Sequence, residues 1–192
     1  VPRLENLISE IDEQMYNRIK EGNQDIADAE AKKTAHQVAL SAIKYGDLSN
    51  QPSKDYVFDI EKFTSFEGDT GPYILYTMVR IKSILNKYEL EGKSAKEALL
   101  NAAGSDTEKT LMLQLTRFAD SIESASRELM PNRICAYIYE LSNDFNSFYH
   151  ETKILTEPDL NRKEGYIALL NITLKVLETG IDLLGFTAPD KM

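Results

Sequence analysis

Apolar residues recur at three- and four-residue steps over most of the chain, the spacing of one buried face on an α-helix. Leu4, Leu7, Ile8, Ile11, Met15 and Ile19 mark a first helix, which Glu21-Gly22-Asn23 ends. Ala35, Val38, Ala39, Ala42 and Ile43 mark a second, over about Asp25 to Leu48, and its small residues suit close packing. Ile74, Met78, Ile81 and Leu85 stripe a third, from Pro72 to Tyr88. Ser105-Asp106-Thr107-Glu108 is a helix-start signal, and Leu111, Leu115, Phe118 and Ile122 carry the stripe that follows. Pro131 opens another, with Ile134, Tyr137, Ile138, Leu141, Phe145 and Phe148. Tyr166, Leu170, Leu174, Leu177, Ile181 and Leu184 form the last, which Gly185 closes. The pattern predicts an all-α chain whose C-terminal part is a bundle of about four helices.

The breaks are as informative as the stripes. Asn50-Gln51-Pro52-Ser53-Lys54-Asp55 is a turn cluster, and Tyr56-Val57-Phe58 reads as a short strand or extended segment. Tyr56, Phe58, Phe63 and Phe66 crowd one short span and need something large to pack against, which suggests a domain junction. In Phe66-Glu67-Gly68-Asp69-Thr70-Gly71-Pro72 the two glycines permit a tight turn, and Pro72 suits the first helical position. The polar stretch Glu89 to Ser105 is a long connection, with a short helix expected over Ala95 to Ala103.

The helix after Pro72 has two faces. At about 100° per residue, Tyr73, Tyr76, Arg80 and Lys87 fall opposite the apolar stripe. Aromatic rings beside cations suit single-stranded nucleic acid, because rings stack on bases and cations meet phosphates. Periodicity alone favours the other reading, in which both tyrosines pack on the preceding segment, on Phe63 or Phe66.

Composition narrows the chemistry. An apolar fraction of 42% over 192 residues supports a sizeable core, while a net charge of −9 argues against holding nucleic acid by bulk electrostatics. The excess is concentrated early: residues 1–70 carry 8 basic and 14 acidic groups, and residues 71–192 carry 14 and 17. The single cysteine, Cys135, lies in an apolar run, reads as a small packing residue and fits a reducing compartment. His36 and His150, far apart and with one cysteine, make no zinc set; His36 reads as structural or solvated, no carboxylate pair is marked for acid–base work, and His150 with Glu151 is a remote candidate pair. Neither a phosphate-cradling glycine loop nor a G-x-S-x-G elbow occurs. These residues point to a binding or structural module, with no catalytic and no metal-ligating residues assigned.

Several blocks together resemble the C-terminal portion of arginyl-tRNA synthetase, a class I aminoacyl-tRNA synthetase. They are Val38 to Ser49 (VALSAIKYGDLS), Asp55 to Asp59 (DYVFD), Phe66 to Tyr76 (FEGDTGPYILY), Cys135 to Leu141 (CAYIYEL) with Phe145, Phe148 and Tyr149, and Gly180 to Gly185 (GIDLLG). The similarity keeps its order over nearly the whole chain, and the Phe66–Tyr76 block is its most specific part. The resemblance implies residues 1–66 as the end of a catalytic domain and its stem, and residues 67–192 as a helical, DALR-type anticodon-binding domain. It implies a parent arginine–tRNA ligase that uses ATP with Mg, through arginyl-adenylate. The family's H-I-G-H-type motif is absent here, so that half is expected before Val1 and this chain is expected to be inactive alone. The implied partner is tRNA(Arg), with no DNA and no membrane, for a cytoplasmic monomer. Carried over by position, the tRNA-binding residues are Tyr73, Tyr76, Arg80, Tyr149 and Met192. One departure stands out: where the family usually has an arginine near Tyr166, this chain offers Arg162 and Lys163. The competing expectation is a helical protein–protein module that docks through the aromatic span Tyr56 to Phe66 and binds no RNA.

Overall fold

The computed structural model describes residues 3–192, and all regular structure among them is helical. The order is α1 (Leu4–Gly22), α2 (Asp28–Leu48), α3 (Ile60–Phe63), α4 (Gly71–Leu90), a 3₁₀ turn (Ala95–Glu97), α5 (Asp106–Thr116), α6 (Phe118–Glu128), α7 (Asn132–Glu151) and α8 (Leu160–Leu184). Helices α1 and α2 form a hairpin, α2 packs on α4, α4 packs on α7 and α8, and α5 and α6 cover α7. One apolar core runs through all of it, from Ile11 and Met15 to Leu184 and Phe186. The α4 stripe Ile74, Met78, Ile81 and Leu85 is buried as its spacing requires.

Local chemistry fixes the helix ends. Ser105 Oγ accepts from Glu108 N, and Glu108 Oε2 reaches back to Gly104 N at 2.6 Å, so two otherwise unpaired amides at the start of α5 are satisfied. Asp159 caps α8 through the amides of Asn161 and Arg162. Thr70 caps α4 by accepting from Tyr73 N, while its own hydroxyl donates to Ser65 O.

Several elements depart from the sequence expectation. Helix α2 starts at Asp28 rather than near Asp25, because Lys20 Nζ holds the carbonyls of Gln24 and Ile26 and Asn23 Oδ1 turns the chain at Asp25 N. The stretch expected to be helical over Ala95 to Ala103 makes one 3₁₀ turn and is then tied to α8, with Asn101 Nδ2 donating to Asn161 O. The stripe after Ser105 belongs to two helices. Thr116 Oγ1 donates to Leu113 O and Arg117 leaves helical ψ, so the chain bends and α6 also reaches α7. Residues 67–192 therefore hold five α-helices rather than about four. Tyr56-Val57-Phe58 has no regular secondary structure; Tyr56 and Phe58 meet Phe63 edge-on at 6.2 and 4.6 Å, and Phe63 in turn covers Gly46.

The two glycines before α4 do different work. Gly68 takes a positive φ of 82°, as a tight turn needs. Gly71 is already helical, so Pro72 occupies the second helical position rather than the first. What Gly71 supplies is proximity: a Cβ there would stand 2.2 Å from Ser41 O and 3.0 Å from Tyr45 Cβ. Beneath this contact, buried Tyr45 donates to Asp69 Oδ1 and lies 3.0 Å from Cys135 O, so α2 touches both the turn before α4 and the first turn of α7. Gly71→Ala is expected to destabilise the chain by about 3 kcal/mol, the upper end of overpacking costs, because the obstacle is backbone. Gly22→Ala, which meets nothing within 4 Å, should lie within about 0.5 kcal/mol of the parent. Urea unfolding of both variants measures the contrast.

Candidate nucleic-acid interface

The register of α4 and α7 brings three of the five predicted residues together. The Arg80 guanidinium lies over the Tyr76 ring and over the Tyr149 ring, 4.8 Å from each centroid. Tyr149 is backed by Phe145 in a stacked arrangement at 6.1 Å. A cation over two rings is stabilised by both π faces, about 0.5–2 kcal/mol each depending on desolvation. Tyr76 remains 43% exposed, so the stack is open to solvent on that side.

Tyr73 sits differently. Its ring meets Tyr139 edge-on at 5.8 Å, and its hydroxyl donates to Asn143 Oδ1 at 2.7 Å and accepts from Asn146 Nδ2 at 2.9 Å. Burial raises its pKa. Asn146 also donates to Thr77 Oγ1 at 3.1 Å and accepts from Arg80 Nη1 at 2.5 Å. Neither tyrosine rests on Phe63, which is occupied by Tyr56, Phe58 and Gly46.

Met192 faces the same region from the other end of the chain. The segment after α8 runs back along α2 and α4: Lys44 Nζ donates to Gly185 O, Gln37 to Thr187 Oγ1, and Lys82 to Pro189 O. This path sets Met192 in a groove of about 990 Å³ whose walls include Tyr76, Phe66 and Val79, with the cations Arg18, Lys87 and Lys191 and the acids Asp25, Glu30 and Asp190. The α1–α2 connection, from Gly22 to Ala27, closes the far side. The five predicted residues thus occupy one continuous region, with Tyr76 common to the stack and the groove.

Comparisons with known proteins give this region a context. Residues 74–192 match the family model described as the DALR anticodon binding domain. The chain belongs to that family. Residues 1–60 match a second model, the catalytic domain of class I tRNA synthetases (R). Among similar proteins are an arginine–tRNA ligase of Agathobacter rectalis, 58% identical over the whole chain, and one of Alkaliphilus oremlandii, 50% identical. The chain spans about a third of their length, 33% and 32%. The arginyl-tRNA synthetase of Thermus thermophilus superposes with a TM-score of 0.87 at 28% identity, covering all of this chain and 32% of that one. The Plasmodium falciparum enzyme gives 0.82, also at 28%.

Within this DALR domain the cations near Tyr166 are committed to the protein. Lys163 is 6% exposed, donates to Glu91 Oε2 at 2.9 Å and lies over the Tyr88 ring. Arg162 donates to the Tyr166 hydroxyl at 2.9 Å. Among the described residues no hydrogen bond joins His150 to Glu151; the His150 ring rests against Tyr149. Cys135 is buried, and burial pushes its thiol up to about 12, as suits a packing residue. No helix of the described residues is long and apolar enough to cross a membrane.

Sequence reasoning missed Asn143 and Asn146. Their signal was present, since Asn143, Asn146 and Tyr149 follow three-residue steps on α7, but the apolar stripe beside them drew the reading. It also missed the polar groove of about 520 Å³ on the other side of α7, lined by Gln114, Arg117, Glu140, Asn143 and Asp144. There burial, reinforced by Glu140, raises the Asp144 carboxyl above the usual range against the pull of Arg117. A raised carboxyl costs stability once ionised, so the penalty is full above its folded pKa and absent below its unfolded one. Asp144→Asn is therefore expected to raise Tm at pH 7 and to leave it unchanged near pH 3, as followed by circular dichroism.

Proposed function

We propose that this chain is the anticodon-reading part of an arginine–tRNA ligase and binds the anticodon arm of tRNA(Arg). The observation that carries the reading is the Tyr76–Arg80–Tyr149 stack, open at Tyr76 and continuous with the groove that holds Met192. In this proposal Tyr76, Arg80, Tyr149 and Met192 face the RNA, and Tyr73 stands behind them. An unstacked base gains contact area on an aromatic face and in an apolar groove, and the guanidinium edge offers in-plane donors to base edges or phosphates. On a chain of net charge −9 such recognition depends on short-range contacts and local cations rather than on a long-range field.

The same proposal assigns residues 1–66 to the end of a catalytic domain with its stem and residues 67–192 to the RNA-binding bundle. The ends of the two family matches, at 60 and 74, support a boundary in that interval. The parent enzyme would join arginine to tRNA with ATP and Mg through arginyl-adenylate. No H-I-G-H-type motif occurs in this sequence, so the proposal assigns that step to a part of the parent enzyme other than this chain.

Tyr76→Ala is expected to weaken binding of a tRNA(Arg) anticodon stem–loop by about 1–3 kcal/mol, roughly 5- to 150-fold in Kd, with the fold retained because the ring is partly exposed and lies outside the buried core. Fluorescence anisotropy with the labelled stem–loop measures it. An unchanged Kd contradicts the stacking assignment.

A further inference from the structure

Two π faces fix the tilt of a guanidinium but hold it weakly against rotation in its own plane, since the attraction acts through the ring faces. In the Tyr76–Arg80–Tyr149 stack, the in-plane direction is set by one hydrogen bond, from Arg80 Nη1 to Asn146 Oδ1 at 2.5 Å. Asn146 is 9% exposed, and its amide can present oxygen or nitrogen to Arg80. The surrounding hydroxyls remove that freedom. Tyr73 donates its proton to Asn143 Oδ1, and Thr77 donates its proton to Tyr73 O at 3.1 Å. Both hydroxyls can then only accept from Asn146, at 2.9 and 3.1 Å, so the Asn146 nitrogen faces them and its oxygen faces Arg80.

We propose that Asn146 is a positioning residue that aims the Arg80 edge at the RNA, with the Tyr73 hydroxyl holding the Asn146 amide in the required orientation. This rests on the reading of the stack as RNA-facing. It gives Tyr73 a task distinct from stacking: its effect on RNA passes through Asn146 and Arg80. Removal of the Asn146 amide leaves Arg80 between its two rings but free to turn, so the loss appears in RNA affinity and vanishes when Arg80 is absent.

The test is a double-mutant cycle on the whole 192-residue chain, read as the Kd of a tRNA(Arg) anticodon stem–loop. Arg80→Ala is expected to weaken binding about tenfold, the scale of one charge-assisted hydrogen bond. Asn146→Leu should come within about twofold of that loss, and the double variant should lose no more than Arg80→Ala alone. Tyr73→Phe keeps the ring and removes only the hydroxyl, so it reports even where Asn146→Leu fails to fold. It should weaken binding about threefold in the parent and have no effect in the Arg80→Ala background. If Arg80→Ala weakens binding while Asn146→Leu and Tyr73→Phe do not, or if their losses add to that of Arg80→Ala, the positioning role is overturned. If Arg80→Ala itself leaves Kd unchanged, the RNA-facing reading of the stack fails first.

Discussion

The contact of Gly71 with the Ser41 carbonyl is the constraint on which the candidate site depends. A Cβ at position 71 would stand 2.2 Å from that oxygen, so helix α4 can start where it does only with a hydrogen there. Its neighbour Tyr45 carries the register further, bonding to Asp69 before α4 and lying 3.0 Å from Cys135 O in the first turn of α7. Two helices are thereby indexed on a third. Arg80 lies nine residues beyond Gly71, about 13 Å along α4, and Tyr149 lies fourteen beyond Cys135, about 21 Å along α7. A slip of one residue in either helix turns its side chains by about 100° and parts the guanidinium from the ring. The α1–α2 hairpin and the helices that follow share one core.

Much of this fold was legible in the sequence because its signals are local. The stripe Ile74, Met78, Ile81, Leu85 is buried, Ser105 caps α5, and Gly185 ends α8 with a φ of 82°. What periodicity could not give was set by side chains acting across helices. Nothing local distinguishes Gly71, needed for close approach, from Gly68, needed for its dihedral angle. The bend at Thr116–Arg117 follows from a side-chain bond to Leu113 O and from how α6 reaches α7, while the apolar spacing runs through it unbroken. Of the five candidate site residues, Tyr76 and Arg80 share a face as their spacing suggested, Tyr149, named only through the resemblance, meets Arg80 from α7, and Met192 joins them through the return of the last segment across α2 and α4. Tyr73 was read as a platform by the same helical arithmetic, yet its hydroxyl is engaged with Asn143 and Asn146, residues that a stripe of apolar positions does not reveal.

The charge distribution shapes how such a surface can work. With a net charge of −9, the chain as a whole repels a polyanion, and several cations near the bundle are already engaged within the protein. Lys163 is paired with Glu91, Arg162 with the Tyr166 hydroxyl, and Lys82 with Asp190. Around the stack and groove, Arg80, Arg18, Lys87 and Lys191 stand beside aromatic and apolar surface, while Asp25, Glu30 and Asp190 also line the groove. That combination favours an unstacked loop over a regular duplex, because a loop can offer bases to rings while its phosphates reach a few cations.

The most direct test of the central claim is a chemical footprint of intact tRNA(Arg) in the presence of saturating chain. The account predicts protection confined to the anticodon arm, with the acceptor end as reactive as in free tRNA, and loss of that protection with Tyr76→Ala. Protection centred on the acceptor end, or an anticodon-arm footprint that persists unchanged in Tyr76→Ala, would contradict it.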